Sequence, residues 1–158
     1  MNNFEQTLSK AMRFCSTKEV CVFDIKTKLK NWGVDNSVSQ KIISNLIEEK
    51  FIDEQRYANA FANDKFHFNN WGKIKIKYEL RAKRIEIDSI NIALENIADE
   101  EYSNKIKSLI ENKLKTTKES DFQKLKAKIF RHLASKGFEP EIFSKLLNPK
   151  LEEHLKEK

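Results

Sequence analysis

The strongest constraint on the fold is an apolar pattern that the chain carries three times, at intervals of 51 and 53 residues. Each copy has two apolar residues one helical turn apart, and four residues after the second comes a glycine or, in one copy, an arginine. The pairs are Ile25 with Leu29, Ile76 with Leu80 and Ile129 with Leu133, and the later positions are Gly33, Arg84 and Gly137. An internal period of this length is typical of repeat proteins, whose copies stack to bury a shared core.

Each copy predicts three helices in a row. Apolar residues at i, i+3, i+4 and i+7 predict the first helix, as at Leu8, Ala11, Met12 and Cys15. Gly33 and Gly137 are expected to end the second helix in a left-handed conformation, and Pro140 fits the first turn of the last helix. Ser16 with Glu19 has the spacing of a capping box, which predicts the start of the second helix in the first copy.

These patterns predict an all-α fold of three tandem three-helix repeats that form an elongated, curved array. The repeats are expected at residues 1–52, 53–101 and 102–150, followed by a charged C-terminal tail at 151–158. With only three glycines and two prolines, the chain lacks the turn residues that a sheet fold needs. The alternation of lysine and isoleucine over residues 73–77 resembles a strand, but Ile76 occupies the same repeat position as Ile25, which assigns it to a helix.

No motif points to an enzyme, a metal site or a cofactor. The three histidines are scattered, the glycines are too far apart for a phosphate-binding loop, and Cys15 and Cys21 are expected to be reduced thiols. No segment has the run of about 20 apolar residues that spans a bilayer. The N-terminal residues lack the basic start and apolar core of a signal peptide, so we expect a cytoplasmic protein.

Positive charge is concentrated in the second helix of each repeat. The chain has 30 Lys and Arg against 24 Asp and Glu. Residues 71–84 hold six basic residues and one acid, and residues 124–136 hold five basic residues and no acid. Such faces are often only solvated, but three equivalent basic helices also predict a basic stripe that binds a filament or DNA. The candidate residues are Lys73, Lys75, Lys77, Arg81, Lys83, Arg84, Lys124, Lys126, Lys128 and Arg131, with Lys26, Lys28 and Lys30 in the equivalent segment of the first repeat.

A central run of residues resembles the signature of the RecX family. Phe51-Ile52-Asp53-Glu54-Gln55-Arg56-Tyr57-Ala58 is followed by Phe61, Trp71-Gly72, Ile76, Glu79-Leu80 and Ile85. Flanking segments similar to the family begin at Ser16 and Arg131, and Arg84 departs from the family's usual glycine. We interpret the signature residues as mainly structural; they are Asp53, Arg56, Tyr57, Trp71, Gly72 and Leu80.

The resemblance implies a regulator of the RecA recombinase. Proteins of this family bind the RecA–single-stranded DNA filament and restrain its growth, its ATPase and strand exchange, without a cofactor. We therefore expect a monomer whose partner is the RecA filament, with single-stranded DNA contacted directly or through the filament. Two alternatives stay open: a stand-alone, sequence-independent DNA-binding protein, and a helical scaffold for another acidic protein.

Overall fold

The fold of the chain is described by a computed structural model that covers residues 3–157. Over these residues the chain forms nine α-helices and no strand. The helices are α1 (Asn3–Ser16), α2 (Val22–Asn31), α3 (Asn36–Glu48), α4 (Glu54–Asn69), α5 (Lys73–Ala82), α6 (Ile87–Glu95), α7 (Asp99–Thr116), α8 (Phe122–Ser135) and α9 (Pro140–Lys156). The all-α prediction is confirmed, and the lysine–isoleucine alternation at 73–77 is the start of a helix.

The repeat positions of the sequence are the core positions of the fold. All six residues of the predicted pairs are fully buried, at 0% exposure, in α2, α5 and α8. The first helices repeat in the same way, because Ala58 and Ala62 of α4 and Ile106 and Ile110 of α7 are buried at matching positions. Each repeat thus places the same face of its second helix in the core. The opposite faces carry the charged residues and remain in water.

Compact packing divides the chain into two units. Unit 1 contains the residues up to Phe61 together with Leu80–Ala93, and unit 2 contains Ala62–Glu79 with the residues from Leu94 onward. This division differs from the predicted boundaries at 52, 101 and 150, which therefore stay predictions. The segment predicted as a charged tail at 151–158 also differs, because α9 continues to Lys156 and Leu151 is fully buried.

All three second helices end in the same backbone motif. The residue at the stop position is left-handed in each copy, with φ of 76° at Gly33, 64° at Arg84 and 92° at Gly137. The amide of the following residue bonds the carbonyl five positions earlier, as Val34 does with Leu29 at 3.0 Å and Ile85 with Leu80 at 3.1 Å. This is the Schellman arrangement, which pairs carbonyls that a helix end leaves free. Arg84 adopts it although it has a side chain, and a left-handed residue other than glycine is strained.

In unit 2, the start of α5 is joined to the end of α8 by backbone contact. The Gly72 amide donates to the Lys136 carbonyl at 2.8 Å, and the Ile74 amide donates to the Gly137 carbonyl at 3.0 Å. A Cβ on Gly72 would lie 2.3 Å from the Gly137 carbonyl carbon, and a Cβ on Gly137 would lie 2.3 Å from the Cβ of Lys75. Both positions therefore require glycine, and we name this contact the Gly72–Gly137 joint.

Tyr102 of α7 completes the joint. Its hydroxyl accepts a hydrogen bond from the Lys73 amide at 2.9 Å and donates one to the Glu139 carboxylate. Burial raises the pKa of this phenol, and the neighbouring Glu139 raises it further. The phenol therefore keeps its proton and can fill both roles. The first amides of an α-helix lack partners within the helix, and here three consecutive ones, at residues 72–74, are paired.

The predicted capping box at Ser16 and Glu19 is wrong. Ser16 is the last residue of α1, and its hydroxyl donates to the Met12 carbonyl at 2.8 Å. Helix α2 begins later, at Val22, with Cys21 as its N-cap residue. Glu19 pairs instead with Arg56, a partner 37 residues away. Glu19 therefore forms a long-range ion pair, and not the cap that its spacing from Ser16 had suggested.

The first testable consequence concerns Arg84. Arg84→Gly is expected to raise the free energy of unfolding by about 0.5–1 kcal/mol, because relief of the left-handed strain outweighs the extra entropy of an unfolded glycine. Gly33→Ala is the matched reverse change, since nothing lies within 4 Å of a Cβ at Gly33, and it should cost about 1 kcal/mol. Urea unfolding measures both. A destabilised Arg84→Gly would mean that the arginine side chain contributes more than its backbone costs.

The second consequence concerns Gly72. Gly72→Ala is expected to lower the free energy of unfolding by about 3 kcal/mol, because its methyl group would overlap the Gly137 backbone, which has no side-chain freedom to yield. Gly33→Ala is again the control, as it adds a methyl group in open space. If the two alanine variants lost equal stability, the close approach at Gly72 would not exist in solution.

Candidate binding surface

Helix α5 presents basic side chains that differ in how freely they can reach a partner. Lys73 and Lys75 are half-buried, and their ammonium groups lie over aromatic rings, Lys73 at 4.9 Å from the Tyr102 ring centre and Lys75 at 4.6 Å from the Trp71 ring centre. Such cation–π contacts hold a lysine against the protein surface. Lys77 is exposed and makes no ion pair, hydrogen bond or ring contact with residues 3–157. In this part of α5, it is therefore the lysine most available to a partner.

The basic residues at the end of α5 belong to unit 1. Lys83 pairs with Asp24 of α2 at 2.5 Å and lies over the Phe23 ring, so its charge is partly neutralised within the fold. Arg81 and Arg84 are exposed. Arg84 and Lys83 border a surface cavity of about 480 Å³, whose other lining residues are Val22, Phe23, Lys26, Thr27 and Glu54.

Helix α8 carries the remaining four candidates, all in unit 2. Lys128 donates to the Thr117 hydroxyl at 3.4 Å. The side chains of Lys124, Lys126 and Arg131 make no ion pair or hydrogen bond with the described part of the chain. Lys124 also belongs to the first turn, where its amide donates to the N-cap carboxylate of Asp121 at 3.0 Å.

The structure brings only some of these residues together. The Gly72–Gly137 joint sets Lys73 and Lys75 beside the C-terminal end of α8. Lys124 lies 12 residues before Lys136 on the same helix, so it is about 18 Å farther along the helix axis. Four of the ten candidates, Lys73, Lys75, Lys83 and Lys128, are engaged within the fold, and the side chains of the other six make no ion pair or hydrogen bond with the described residues.

The sequence did not lead us to predict that two apolar residues of α5 are exposed. Ile74 is 52% exposed and Tyr78 is 71% exposed, and they lie one turn apart on either side of Lys77. Large apolar side chains in water are a common feature of interaction surfaces. The repeat itself contained the signal, because Ile76 and Leu80 occupy the core positions, and residues two places away must face outward. We name Ile74, Lys77 and Tyr78 the α5 face.

The signature residues make contacts within the fold. Asp53 accepts the Arg56 amide at 3.0 Å, and the Arg56 guanidinium binds Glu19 at 2.7 Å and the Lys50 carbonyl at 3.2 Å. Tyr57 is buried and its ring stacks on Phe61. Trp71 lies under the ammonium groups of Lys65 and Lys75, Gly72 forms the joint, and Leu80 is fully buried.

A half-buried carboxyl group holds the start of α2 in unit 1. Glu54, the first residue of α4, accepts the Val22 amide at 3.1 Å through Oε1, while its Oε2 is buried without a hydrogen-bond partner in the described residues. Burial raises the pKa of Glu54, and the negative charges of Asp24, Asp53 and Glu86 raise it further, whereas the Val22 amide opposes the shift. Tyr102 occupies the equivalent position of α7, four residues before a buried core residue. The first repeat thus uses α4 to pair the start of its basic helix α2, and the second repeat uses α7 to pair the start of α5.

Among the described residues, no group of three His, Cys, Asp or Glu side chains is close enough to hold a metal ion. None of the helices they form is both long and apolar enough to cross a membrane. Cys15 and Cys21 are free and buried, and burial raises the pKa of the Cys21 thiol to about 11. Thiols of this kind are poor nucleophiles at neutral pH.

Two family models match the chain. Residues 53–94 match the model described as "RecX, second three-helix domain", and residues 99–147 match "RecX, third three-helix domain". Among curated relatives, regulatory protein RecX of Clostridium beijerinckii is 30% identical over 147 residues, covering 92% of this chain and 68% of the relative. Regulatory protein RecX of Oceanobacillus iheyensis is 29% identical over 147 residues, covering 90% of this chain and 54% of the relative. The chain spans about half the length of the curated relatives it matches first.

Solved structures share the fold. The crystal structure of RecX from Lactobacillus salivarius has a TM-score of 0.82 with this chain at 20% sequence identity, and the match covers 98% of this chain and 97% of the other. A second crystal structure of a regulatory protein RecX also has a TM-score of 0.82, at 21% identity, and covers 90% of this chain and 71% of the other.

The environment of Glu54 predicts a pH dependence of stability. The folded protein raises the pKa of this group, so the folded state loses stability as the pH rises from the ordinary glutamate value through the raised one. Glu54→Gln removes that loss and keeps an oxygen for the Val22 amide. The variant should therefore be more stable relative to the parent at pH 7 than at pH 4, as measured by urea unfolding at both values. Glu49→Gln, at an exposed position, controls for the lost charge alone. An equal difference at both pH values would show that Glu54 ionises as freely in the folded protein as in the unfolded chain.

Proposed function

This chain belongs to the RecX family of regulatory proteins, and we propose that it binds the RecA–single-stranded DNA filament and restrains filament growth, ATP hydrolysis and strand exchange. We also propose that it acts in the cytoplasm as a monomer and without a cofactor. The observation that supports this most directly is the family membership of the second and third repeats, which contain all ten candidate basic residues.

The proposed contact residues are the α5 face and those candidate cations whose side chains make no ion pair or hydrogen bond within residues 3–157. In unit 2 these cations are Lys77, Lys124, Lys126 and Arg131, and in unit 1 they are Arg81 and Arg84. Ile74 and Tyr78 add exposed apolar area beside Lys77, and aromatic residues such as tyrosine are enriched at protein interfaces. Lys73, Lys75, Lys83 and Lys128 are assigned a supporting role, because their charges are already engaged within the fold.

The proposed mechanism is physical rather than chemical. Several weak contacts carried on one body raise the effective concentration of each subsequent contact, so a repeat protein can hold adjacent subunits of a helical polymer. A regulator bound across subunits opposes their rearrangement and the addition of new ones. Acidic side chains of the filament, or the phosphates of its DNA, are the complementary charges.

The alternative function is sequence-independent DNA binding without a recombinase. It is favoured by the excess of lysine among the basic residues, since lysine acts as a point charge and carries little base-reading geometry. It predicts tight binding to bare DNA that weakens steeply with salt. The filament proposal predicts weak binding to bare DNA at physiological salt and strong binding to the assembled filament.

A charge-reversal pair tests the proposal in one assay. Increasing amounts of the protein are added to the cognate recombinase on single-stranded DNA, and the rate of ATP hydrolysis is measured. The double variant Lys77→Glu with Arg131→Glu should require about ten times more protein for half-maximal inhibition, because two attractive charge contacts become repulsive.

The matched control is Lys41→Glu with Lys145→Glu. Both residues are exposed, on α3 and α9, and their reversal changes the net charge by the same amount. The control pair should inhibit within about twofold of the parent. If both double variants lost the same inhibitory strength, the effect would come from net charge and not from the proposed residues. An ATPase rate that stays unchanged with the parent protein in excess would contradict the proposal.

A further inference from the structure

The last turn of α4 carries the most exposed large apolar side chain among residues 3–157. Phe68 is 79% exposed, and its ring makes no contact with another ring in the described part of the chain. The function proposed above does not use this residue. Single apolar side chains in water are common, so exposure alone does not mark a binding site. Two further observations, on the repeat and on the backbone, distinguish Phe68.

The other two repeats have threonine at the position of Phe68. The first helices align through their buried residues, which are Ala11 and Cys15 in α1, Ala62 and Phe66 in α4, and Ile110 and Leu114 in α7. Two residues after the second of these come Thr17, Phe68 and Thr116. Both threonines are exposed and donate to the carbonyl three residues earlier, Thr17 to Phe14 at 3.0 Å and Thr116 to Lys113 at 3.1 Å. The repeat therefore folds with a small polar residue here and does not require an aromatic ring.

The backbone that carries Phe68 is held by long-range contacts within unit 2. The carbonyl of His67, on one side, accepts a hydrogen bond from the Lys105 ammonium at 3.3 Å. The carbonyl of Asn69, on the other side, accepts one from the Lys136 ammonium at 3.4 Å. Lys105 lies on α7 and Lys136 follows the last residue of α8. Residues of the third repeat therefore hold the chain on both sides of the exposed ring.

The turn that follows Phe68 is fixed as well. Asn70 is left-handed, with φ of 58°, a conformation that asparagine adopts more readily than most residues. Its side-chain oxygen accepts the Lys105 ammonium at 2.9 Å, and the Trp71 amide donates to the Lys65 carbonyl at 3.0 Å. A side chain on an ordered backbone loses less conformational freedom on binding than one on a mobile loop. Phe68 is therefore preorganised to enter a pocket.

The surroundings of Phe68 favour a protein pocket over a nucleic acid base. It carries the one exposed aromatic ring among residues 66–72, because Phe66 is buried and the ammonium groups of Lys65 and Lys75 lie over the half-buried Trp71 ring at 4.9 Å and 4.6 Å. Proteins that bind single strands usually stack successive bases on several rings. A single ring fits one apolar pocket better than a row of bases.

The charges around the turn indicate the rim of that pocket. Four lysines contact residues 67–71, and they are Lys65, Lys75, Lys105 and Lys136. Two acids lie nearby: Asp64 is one turn before Phe68, and Glu101 pairs with His67 at 3.4 Å. Since positive charge is in excess, an acidic rim is the complement.

We propose that Phe68 is an anchor that enters an apolar pocket with an acidic rim on a protein partner. The proposal rests on the function proposed above, under which this partner is a subunit of the RecA filament. A few aromatic anchors in desolvated pockets often carry most of the binding energy of an interface. Phe68 therefore gives unit 2 an apolar contact that salt does not screen, unlike the contacts of the exposed cations.

The test is binding of the protein to a filament assembled on single-stranded DNA with a non-hydrolysable ATP analogue, measured by co-sedimentation. Phe68→Thr introduces the residue that the other two repeats have, so the midpoint of urea unfolding should not change. Its Kd for the filament should rise about thirtyfold. Ile47→Thr is the matched control, because Ile47 is 48% exposed on α3, and its Kd should stay within about twofold of the parent.

Phe68→Leu distinguishes a pocket from base stacking. Leucine fills an apolar pocket but has no flat ring to stack on a base, so this variant should bind the filament within about fivefold of the parent. Bare oligothymidylate is the second probe, and Phe68→Thr should bind it as the parent does. If Phe68→Thr weakened binding to oligothymidylate and to the filament by the same factor, the ring would stack on a base and the proposal would be overturned.

The same measurements separate this proposal from the proposed function. If the parent bound the filament and Phe68→Thr bound it equally well, the anchor would be overturned and the function would stand. If the parent did not bind the filament, both would be overturned.

Discussion

The arrangement of the second unit depends on how the first amides of α5 are paired. An α-helix leaves these groups without partners of its own, and α5 has no capping side chain in front of it. The carbonyls of Lys136 and Gly137 and the hydroxyl of Tyr102 accept them instead. This pairing requires the two backbones to approach until neither Gly72 nor Gly137 has room for a Cβ. Because the partners come from α7 and α8, the start of the basic helix α5 is fixed by the third repeat, and the direction of the α5 face is fixed with it.

In the first unit, the start of α2 is also paired by a side chain of the next repeat, but the acceptor is a carboxylate instead of a phenol. Glu54 of α4 accepts the first amide of α2, at the position that Tyr102 occupies in α7. A carboxylate complements the positive end of a helix dipole but is costly to bury, whereas a phenol has no charge to desolvate. The first and second repeats therefore rely on the repeat that follows them to pair the start of their second helix, whereas α8 of the third repeat is capped by Asp121. A copy of about 50 residues buries only a modest share of its surface, so it gains stability from such contacts with the next copy.

The repeat was the part of the fold that the sequence made predictable. Periodic burial is a property of neighbouring turns, so Ile76 and Leu80 could be assigned to the core from their spacing alone, and Gly33 and Gly137 could be assigned to helix ends. Ser16 and Glu19 were misread because the partner of Glu19 is distant in sequence. The basic residues show the same limit: their number was visible, but which of them are held by Tyr102, Trp71, Asp24 or Thr117 depends on tertiary contacts. Family membership could be recognised because Arg56, Tyr57, Trp71 and Gly72 each make contacts within the fold that depend on the residue type.

Hydrogen exchange at the start of α5 tests the central claim most directly. The amides of Gly72, Lys73 and Ile74 should be as strongly protected as amides inside a helix, since all three are paired to α7 and α8. The amides of Asn36 and Ser37, at the start of a helix without a side-chain cap, provide the comparison and should exchange quickly. Exchange of the α5 amides as fast as those of Asn36 and Ser37 would contradict the account, because the basic helix would then have no fixed attachment to the third repeat.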